Sequence, residues 1–241
     1  VGGRTAWMSE PYAGSSDEYG ISVCTDEELD SAIQFCKENE CQLSIHAMGK
    51  CAIDRVLLRA SQEAPWISDP PHIRIEHVTD PSERAIALAG EHGIAFCTQL
   101  IFLYSEIESY RNNLGDAWIE RTYPLPRLLN AGIKTALSTD APATSWASPS
   151  DPFPNIKCAV TRKAYDGSDC GVKQRISVET AIELYTREAA EIGGFTCLGQ
   201  LRSGYKASFI VLSDDILAID PEKIDMISVE KTYINGICVF G

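Results

Sequence analysis

The chain has 241 residues, of which 44% are hydrophobic and 23% charged, as is typical of a soluble globular protein. Its 21 Lys and Arg residues against 34 Asp and Glu residues give a formal net charge of −13. An acidic surface repels phosphate groups, which argues against nucleic acids and anionic membranes as partners. No apolar run reaches the roughly 18 residues that a membrane span needs, and no segment resembles a signal peptide.

The first 140 residues alternate helical and strand-like patterns. Thr25 and Glu28 form the signature of a capping box at the start of the first helix. The predicted helices span residues 25–38, 51–64, 80–93 and 125–130, and the predicted strands span residues 43–46, 73–77, 94–98 and 134–138. Asp80 is expected to cap the third helix and Gly93 to end it. This order predicts parallel strands with apolar residues on both faces, as in a barrel or a doubly wound sheet.

The pattern changes after residue 150. Ser177–Ile192 is predicted to form one amphipathic helix with Ser177 as its N-cap. Strand-like segments follow at residues 208–212 and 229–240, and Asn235 and Gly236 interrupt the second. Asn-Gly is typical of a tight hairpin because both residues take positive φ there. The tail is therefore predicted to be antiparallel.

The nine cysteines are an odd number, and no two form a Cys-x-x-Cys pair. Several stand among apolar residues, such as Cys36, Cys97 and Cys238. We interpret them as reduced thiols that fill the core of a cytoplasmic protein, in preference to a zinc knuckle or a disulfide scaffold.

Three polar residues share one topological position. His46, His77 and Asp140 each stand at or just after the carboxyl end of a predicted parallel strand. In a (β/α)8 barrel these ends form one face, which carries the active site. Two imidazoles and a carboxylate suit a divalent metal such as zinc. An alternative is a barrel or doubly wound enzyme that uses His and Asp for acid–base chemistry without a metal.

Other polar residues nearby are interpreted as structural. His72 precedes its strand, and His92 lies at a helix C-terminus, where the helix dipole favours a cation. Strand alternation should turn Glu76 away from His77, toward an ion pair with a neighbouring helix. Lys50 is expected to be a solvated loop lysine.

Several segments together resemble blocks of amidohydrolase family 3, the N-substituted formamide deformylase-like branch of the metal-dependent amidohydrolase superfamily. These segments are HAMGKCAID, RIEH, STDAP, AVTR, ELYTREAAEIGG and LGQLRSGYKASFIVLSDD, and they occur in the family's order. The opening VGGRTAWMSEPY resembles the segment after barrel strand four. The resemblance implies an α/β fold, with the C-terminal portion of a TIM barrel (about strands five to eight) over residues 1–195. Residues 196–241 would form part of a β-sandwich appendage.

The resemblance also implies a function, the zinc-dependent hydrolysis of C–N bonds in small amide or N-formyl substrates. His46 and His77 match the metal-binding histidines of strands five and six. Asp140 matches the strand-eight aspartate that binds metal and acts as the general base. The intact family holds one or two zinc ions.

Two features depart from the family pattern. Lys50 stands where the family has an aspartate after Gly49, and the sequence contains no His-x-His pair. Because residue 1 is valine, we expect a C-terminal part of a longer enzyme. That part should be inactive or weakly active alone, and it should self-associate or need a missing N-terminal half. The alternative is a non-catalytic, truncated amidohydrolase-like protein that acts, if at all, by association.

Substrate identity is left open by the sequence. Four aromatic residues in predicted loops are candidates for lining a pocket, namely Tyr104, Trp118, Trp146 and Tyr165. Aromatic residues in long loops pack against the scaffold more often than they touch ligands, so we assign them no role.

Overall fold

A computed structural model describes residues 1–143, 148 and 150–241. The helices are α1 (Asp26–Glu38), α2 (Lys50–Ala60), α3 (Glu83–His92), α4 (Leu100–Ser105), α5 (Ile107–Leu114), α6 (Asp116–Ile119), α7 (Leu125–Asn130), α8 (Phe153–Thr161), α9 (Val178–Tyr185) and α10 (Arg187–Ile192). The strands are β1 (Leu43–Ala47), β2 (Ile73–His77), β3 (Ala95–Thr98), β4 (Thr135–Leu137), β5 (Phe209–Leu212), β6 (Val229–Ile234) and β7 (Ile237–Phe240). Two compact units comprise residues 1–98 with 106–135, and residues 99–105 with 136–241. The predicted boundary between residues 195 and 196 stays a prediction.

The predicted parallel strands are confirmed, and the fold class is α/β. Strands β1 to β4 form one sheet in chain order, and β2 pairs in parallel with both β1 and β3. The N–H of Phe96 donates to the C=O of Lys134 at 2.9 Å, which ties β3 to the segment leading into β4. Each observed strand differs from its predicted bounds by one residue at most at either end.

The core of the first unit lies between the sheet and its helices. Ile73, Ile75 and Phe96 point from β2 and β3 into one fully buried cluster, which they share with Ile53 and Leu57 of α2. Each such side chain contributes about 1.5–3 kcal/mol to the free energy of unfolding. This packing holds the sheet fixed and so fixes where each strand ends.

The opposite face of β1 and β2 is polar, and the prediction of two apolar faces is wrong for these strands. Ser44 and His46 are exposed, and Arg74 and Glu76 are half-buried. The Ser44 hydroxyl donates to Glu76 Oε1 at 2.8 Å, and Arg74 forms an ion pair with Glu76 on the same strand. Glu76 therefore pairs within the sheet, where we had predicted an ion pair with a helix. Runs of four or five residues were too short to separate alternating from continuous apolar patterns.

Local sequence signals set most helix ends. Thr25 and Glu28 form the predicted capping box, and Gly93 ends α3 in the left-handed conformation. The N-cap of α3 is Ser82, whose hydroxyl accepts a hydrogen bond from the N–H of Ala85 at 3.1 Å. The predicted cap two residues earlier is therefore corrected, since the hydroxyl nearest to the first free N–H groups forms the bond.

The helix predicted over residues 177–192 is two helices. Ser177 caps α9 as predicted, but Thr186 leaves the helical conformation at φ −121° and ψ −80°. Its hydroxyl donates to the C=O of Ile182 at 2.7 Å. A threonine that bonds back to the preceding turn weakens a helix, and its branched Cβ adds to the effect. The apolar spacing continues across this break, so periodicity alone did not reveal it.

The tail forms the predicted antiparallel sheet, in the order β5-β6-β7. Asn235 and Gly236 have φ of +52° and +81°, as the hairpin prediction requires. Every residue of β7 is exposed, including Val239 and Phe240. This small sheet therefore leaves much of its apolar surface uncovered within the described residues.

All nine cysteines are free thiols. Cys36 is buried as predicted and Cys97 is half-buried. The prediction that Cys238 fills a core is wrong, because it lies on the exposed strand β7. Across the ranges that the structure describes, no helix has the length and apolar character to cross a membrane.

Acid is expected to destabilise the first unit through His72. Its ring is 2% exposed and packs edge-on against Trp66, with ring centres 4.8 Å apart. Burial lowers the pKa of His72 below its usual 6.5, an effect that Glu63 opposes. His72 therefore binds a proton more weakly in the folded chain than in the unfolded chain. The resulting stability is complete above pH 6.5 and is lost as the pH falls from 6.5 toward the folded pKa.

Urea unfolding at a series of pH values tests this expectation. The His72→Phe variant should lose less stability than the parent between about pH 7 and pH 5, by about 1.4 kcal/mol for each unit of pKa depression. His92→Gln should change the slope much less than His72→Phe does, because the charge of His92 contributes less than burial to the lowered pKa of His72. Equal slopes for the parent and His72→Phe would contradict the assignment.

Candidate metal centre

His46 lies on the polar face of β1. Its register partner on β2 is Glu76, and its neighbours Ile45 and Ala47 point toward the helices. Successive side chains of a strand alternate between faces, so His46 faces away from the helical layer. The imidazole is exposed.

His77 ends β2 in a strained turn. Alternation should direct it toward the helices, like Ile73 and Ile75 before it. Its φ is instead +72°, and the N–H of Val78 donates to the C=O of Glu76 at 3.0 Å. A hydrogen bond from residue 78 back to residue 76, with positive φ at the residue between them, is typical of the rare and strained form of the γ-turn.

The strained turn brings the two histidines together. Rotation about the N–Cα bond of His77 swings its side chain off the alternating pattern and toward β1. The ring centres of His46 and His77 are 4.5 Å apart, and the ring planes meet at 70°. His77 is only 5% exposed. Both histidines belong to the first unit.

Buried hydrogen bonds hold the turn in place. The Thr98 hydroxyl donates to the C=O of His77 at 2.8 Å. Two residues later, the C=O of Thr79 accepts from the N–H of Tyr123 at 2.7 Å and from the hydroxyl of Thr122 at 2.8 Å. Backbone strain of about 1–3 kcal/mol persists only where the surroundings fix the conformation, and such positions cluster at functional sites. No residue pattern pointed to these threonines.

Two imidazoles in this arrangement fit adjacent ligands of one zinc ion. A Zn–N bond of about 2.0–2.1 Å places each ring centre about 3.2 Å from the ion, so two tetrahedral ligands have centres about 5 Å apart. The observed separation of 4.5 Å is close to this value. Within residues 1–143, 148 and 150–241, no three or more His, Cys, Asp or Glu side chains form a group that could hold a metal. The described residues thus bring two imidazoles together as candidate ligands.

Asp140 follows β4 and belongs to the second unit. Its φ is +58°, and its C=O accepts from the N–H of Ala143 at 2.7 Å. Two of the three predicted site residues therefore have positive φ, which is uncommon outside glycine.

Asn155 in α8 is a polar residue of the second unit that the sequence analysis missed. Its Nδ2 donates to the C=O of Ser138 at 2.8 Å, and so it braces the chain just before Asp140. Its Oδ1 is buried and makes no hydrogen bond with any described residue.

An apolar cavity of about 440 Å³ adjoins His46 within the first unit. Its walls come from the N-terminal segment, α1, β1 and α2, and include Trp7, Val23, Ile45 and Met48. The cavity lies beside β1, which is the edge strand of the sheet.

The amidohydrolase family profile matches residues 1–240. The chain belongs to the amidohydrolase family. The Bacillus subtilis (strain 168) protein named "Putative amidohydrolase YtcJ" is 32% identical over the whole chain, which covers 45% of that protein. The N-substituted formamide deformylase of Arthrobacter pascens is 25% identical over 95% of the chain and is 42% covered.

A solved structure has a similar fold over the part that matches this chain. It is described as an uncharacterized metal-dependent hydrolase from Pyrococcus furiosus, and it is 30% identical with a TM-score of 0.73. The match covers 90% of this chain and 42% of that one. The chain therefore spans a little under half the length of the relatives it matches.

Lys50, where the sequence departs from the family pattern, begins a helix. Lys50 is the first residue of α2, and its Nζ lies 3.7 Å from Asp54 Oδ2. The prediction of a loop lysine is therefore corrected. The preceding Gly49 has φ +84°, and a Cβ there would lie 2.5 Å from the carbonyl oxygen of Trp7.

The aromatic residues that we predicted in loops of this amidohydrolase-family chain differ in burial. Trp118 is 3% exposed and packs beside Tyr110, and the Tyr104 hydroxyl donates to Asp225 at 3.1 Å. Both are parts of the scaffold. Tyr165 is exposed, and Trp146 lies outside the described residues.

Proposed function

We propose that this chain forms the C-terminal portion of the (β/α)8 barrel, about strands five to eight, and part of the β-sandwich of a zinc-dependent amidohydrolase. The reaction is hydrolysis of a C–N bond in a small amide or N-formyl substrate. The convergence of His46 and His77 at neighbouring strand ends carries the proposal. In this member of the family the two ring centres are 4.5 Å apart, and His77 is held there by a strained turn that buried hydrogen bonds stabilise. The formamide named for the Arthrobacter pascens relative supports the substrate class.

In this proposal, His46 and His77 hold the metal through ring nitrogens. The buried His77 is the fixed ligand, and the exposed His46 faces the side from which substrate arrives. A bound divalent metal supplies Lewis acidity, lowering the pKa of water toward about 7 and polarising the scissile carbonyl. The Asp140 carboxylate is both a metal ligand and the general base. It takes a proton from the attacking water and passes it to the leaving nitrogen.

We further propose that a single copy of this chain is not active by itself and that the active assembly contains a second part. With Asp140 the chain offers three ligands, which can hold one zinc ion with water as the fourth ligand but cannot complete a site for two zinc ions. The exposed polar face of β1 and β2, the edge position of β1 and the uncovered apolar residues of β7 support association. The partner is an N-terminal half of amidohydrolase type or, failing that, a second copy.

Comparing hydrolysis by two forms of the protein tests this function. The zinc-supplemented chain and the same chain lengthened by any in-frame upstream sequence would be assayed on N-substituted formamides and simple amides. We expect hydrolysis by the longer form, loss of that activity with Asp140→Asn, and little or none by the chain alone. Equal rates for the two forms would contradict the need for a second part.

The non-catalytic alternative also has an observation in its favour, the lack of a three-ligand group among the described residues. It predicts that the longer form associates yet neither binds zinc nor hydrolyses any of these substrates. Metal analysis of the purified longer form therefore separates the two functions.

A further inference from the structure

Helix α1 ends in a Schellman motif that brings two cysteines together. Its C-cap is Asn39, and the next residue, Glu40, has φ +49°. The N–H of Glu40 donates to the C=O of Lys37 at 3.4 Å, and the N–H of Cys41 donates to the C=O of Cys36 at 3.1 Å. These two hydrogen bonds define the motif, which commonly brings apolar side chains into contact at the two outer positions. Here both outer side chains are thiols.

The backbone geometry is compatible with the distance requirement for a disulfide. A carbonyl oxygen lies about 2.4 Å from its own Cα, and an amide nitrogen about 1.5 Å from its own. The 3.1 Å hydrogen bond therefore keeps the Cα atoms of Cys36 and Cys41 within about 7 Å of each other. Disulfides need Cα atoms roughly 4.4–6.8 Å apart and converging side chains. The Schellman motif brings the side chains at its two outer positions together, and so the two thiols face each other.

The two sulfurs differ in access. Cys36 is 6% exposed, whereas Cys41 is half-buried. Burial, followed by the contact with Cys41, raises the pKa of the Cys36 thiol. Cys41 is thus the sulfur that a small molecule reaches first, and Cys36 is placed to attack it from inside.

We propose that Cys36 and Cys41 form a dithiol that low-molecular-weight disulfides oxidise reversibly to an intramolecular disulfide. The Cys41 thiolate attacks one sulfur of the small disulfide RSSR and expels RS⁻, leaving a mixed disulfide on Cys41. The Cys36 thiolate then attacks the sulfur of Cys41 and expels a second RS⁻. The two thiol protons end on two RSH molecules, and two electrons pass from the protein to the small disulfide.

The disulfide would tie α1 to the strand that carries His46. β1 begins two residues after Cys41, and the indole N–H of Trp66 donates to the C=O of Cys41 at 2.8 Å. Oxidation would therefore fix the connection between helix and strand covalently. Disulfides of this kind in cytoplasmic proteins are transient and regulatory.

A second pair of thiols provides an internal control. Cys158 and Cys170 also lie close together, because the N–H of the buried Arg162 donates to the C=O of Cys158 at 2.9 Å and its C=O accepts from the N–H of Cys170 at 2.7 Å, but both cysteines are completely buried. A small disulfide has no access to either sulfur in the folded chain. Contact alone therefore predicts oxidation of both pairs, whereas contact with access predicts oxidation of Cys36 and Cys41 only.

Peptide mapping tests the proposal in the Cys24→Ser variant, in which the exposed Cys24 is removed. The folded chain is incubated with oxidised glutathione, alkylated with N-ethylmaleimide and digested with trypsin. Cleavage after Lys37 places Cys36 in residues 5–37 and Cys41 in residues 38–50. We expect these two peptides to be recovered mainly as one cross-linked species that dithiothreitol separates. The peptides with Cys158 and Cys170 should remain unlinked.

Single variants and denaturant complete the test. In Cys36→Ser the mixed disulfide on Cys41 should persist, and in Cys41→Ser the thiol of Cys36 should remain alkylatable only after unfolding. Cross-linking should slow severalfold in urea, where the Schellman motif is lost. The proposal fails if the folded chain stops at the mixed disulfide, if both buried and accessible pairs cross-link equally, or if urea leaves the rate unchanged.

Discussion

Replacing His77 with asparagine is expected to weaken zinc binding by about 100-fold or more, since a whole ligand is lost where even its supporting groups are worth about 10–100-fold. Asparagine is chosen because it tolerates positive φ better than most residues, and the strained turn at +72° should survive the change. His46→Ala should have a similar effect, because the proposed site uses both imidazoles to hold one ion. Zinc affinity would be measured by competition with a chromogenic chelator, on the 241-residue chain and on any longer form.

The control for this prediction is His92→Ala, which removes an imidazole from the last turn of α3. It should leave zinc affinity unchanged. The double variant His46→Ala with His77→Asn should bind more weakly than either single variant but lose less affinity than the two single effects combined, because effects on one shared ion are not additive. Unchanged affinity in His77→Asn would overturn the metal centre, and acid–base chemistry without a metal would then explain the histidines better.

The sequence predicted the positions of the site residues better than it predicted their geometry. Apolar runs followed by His46 and His77 indicated strand ends, and the sheet confirms this placement. The γ-turn at His77 was not predicted, because no glycine or Asn-Gly pair marks a turn there and a histidine alone is a weak indication of positive φ. Strict alternation would even have separated the histidines. The contact arises because tertiary hydrogen bonds through Thr98 and Thr79 stabilise the strained turn.

Elements fixed by local chemistry were predicted well. The capping box at Thr25 and the hairpin at Asn235-Gly236 depend on bonds within a few residues. Errors arose where two local choices compete. Ser82 displaced Asp80 as an N-cap, and the hydroxyl of Thr186 interrupted a continuous apolar pattern. Such competition is decided by small energy differences that residue patterns do not encode.

Gly49→Ala is expected to destabilise the first unit by about 2–4 kcal/mol, the largest effect we predict for a single methyl group. The backbone at Gly49 has φ +84°, and an added Cβ would meet the carbonyl oxygen of Trp7 at 2.5 Å. That same oxygen accepts a hydrogen bond from the N–H of Cys51 at 3.1 Å. Relief of the clash would therefore break the contact between the N-terminal segment and the start of α2.

Gly14→Ala separates the clash from the backbone strain. Gly14 has nearly the same φ, +80°, but a Cβ there would meet nothing within 4 Å. It should lower the free energy of unfolding by only about 1 kcal/mol, the strain of a non-glycine residue at positive φ. Urea titrations of both variants against the parent measure the difference. The N–H of Gly49 also donates to the hydroxyl of Thr79 at 3.3 Å. A large loss of stability that occurs only in Gly49→Ala should therefore be accompanied by weaker zinc binding at His46 and His77. Equal losses of unfolding free energy in the two variants would mean that the segment around Trp7 does not pack against Gly49.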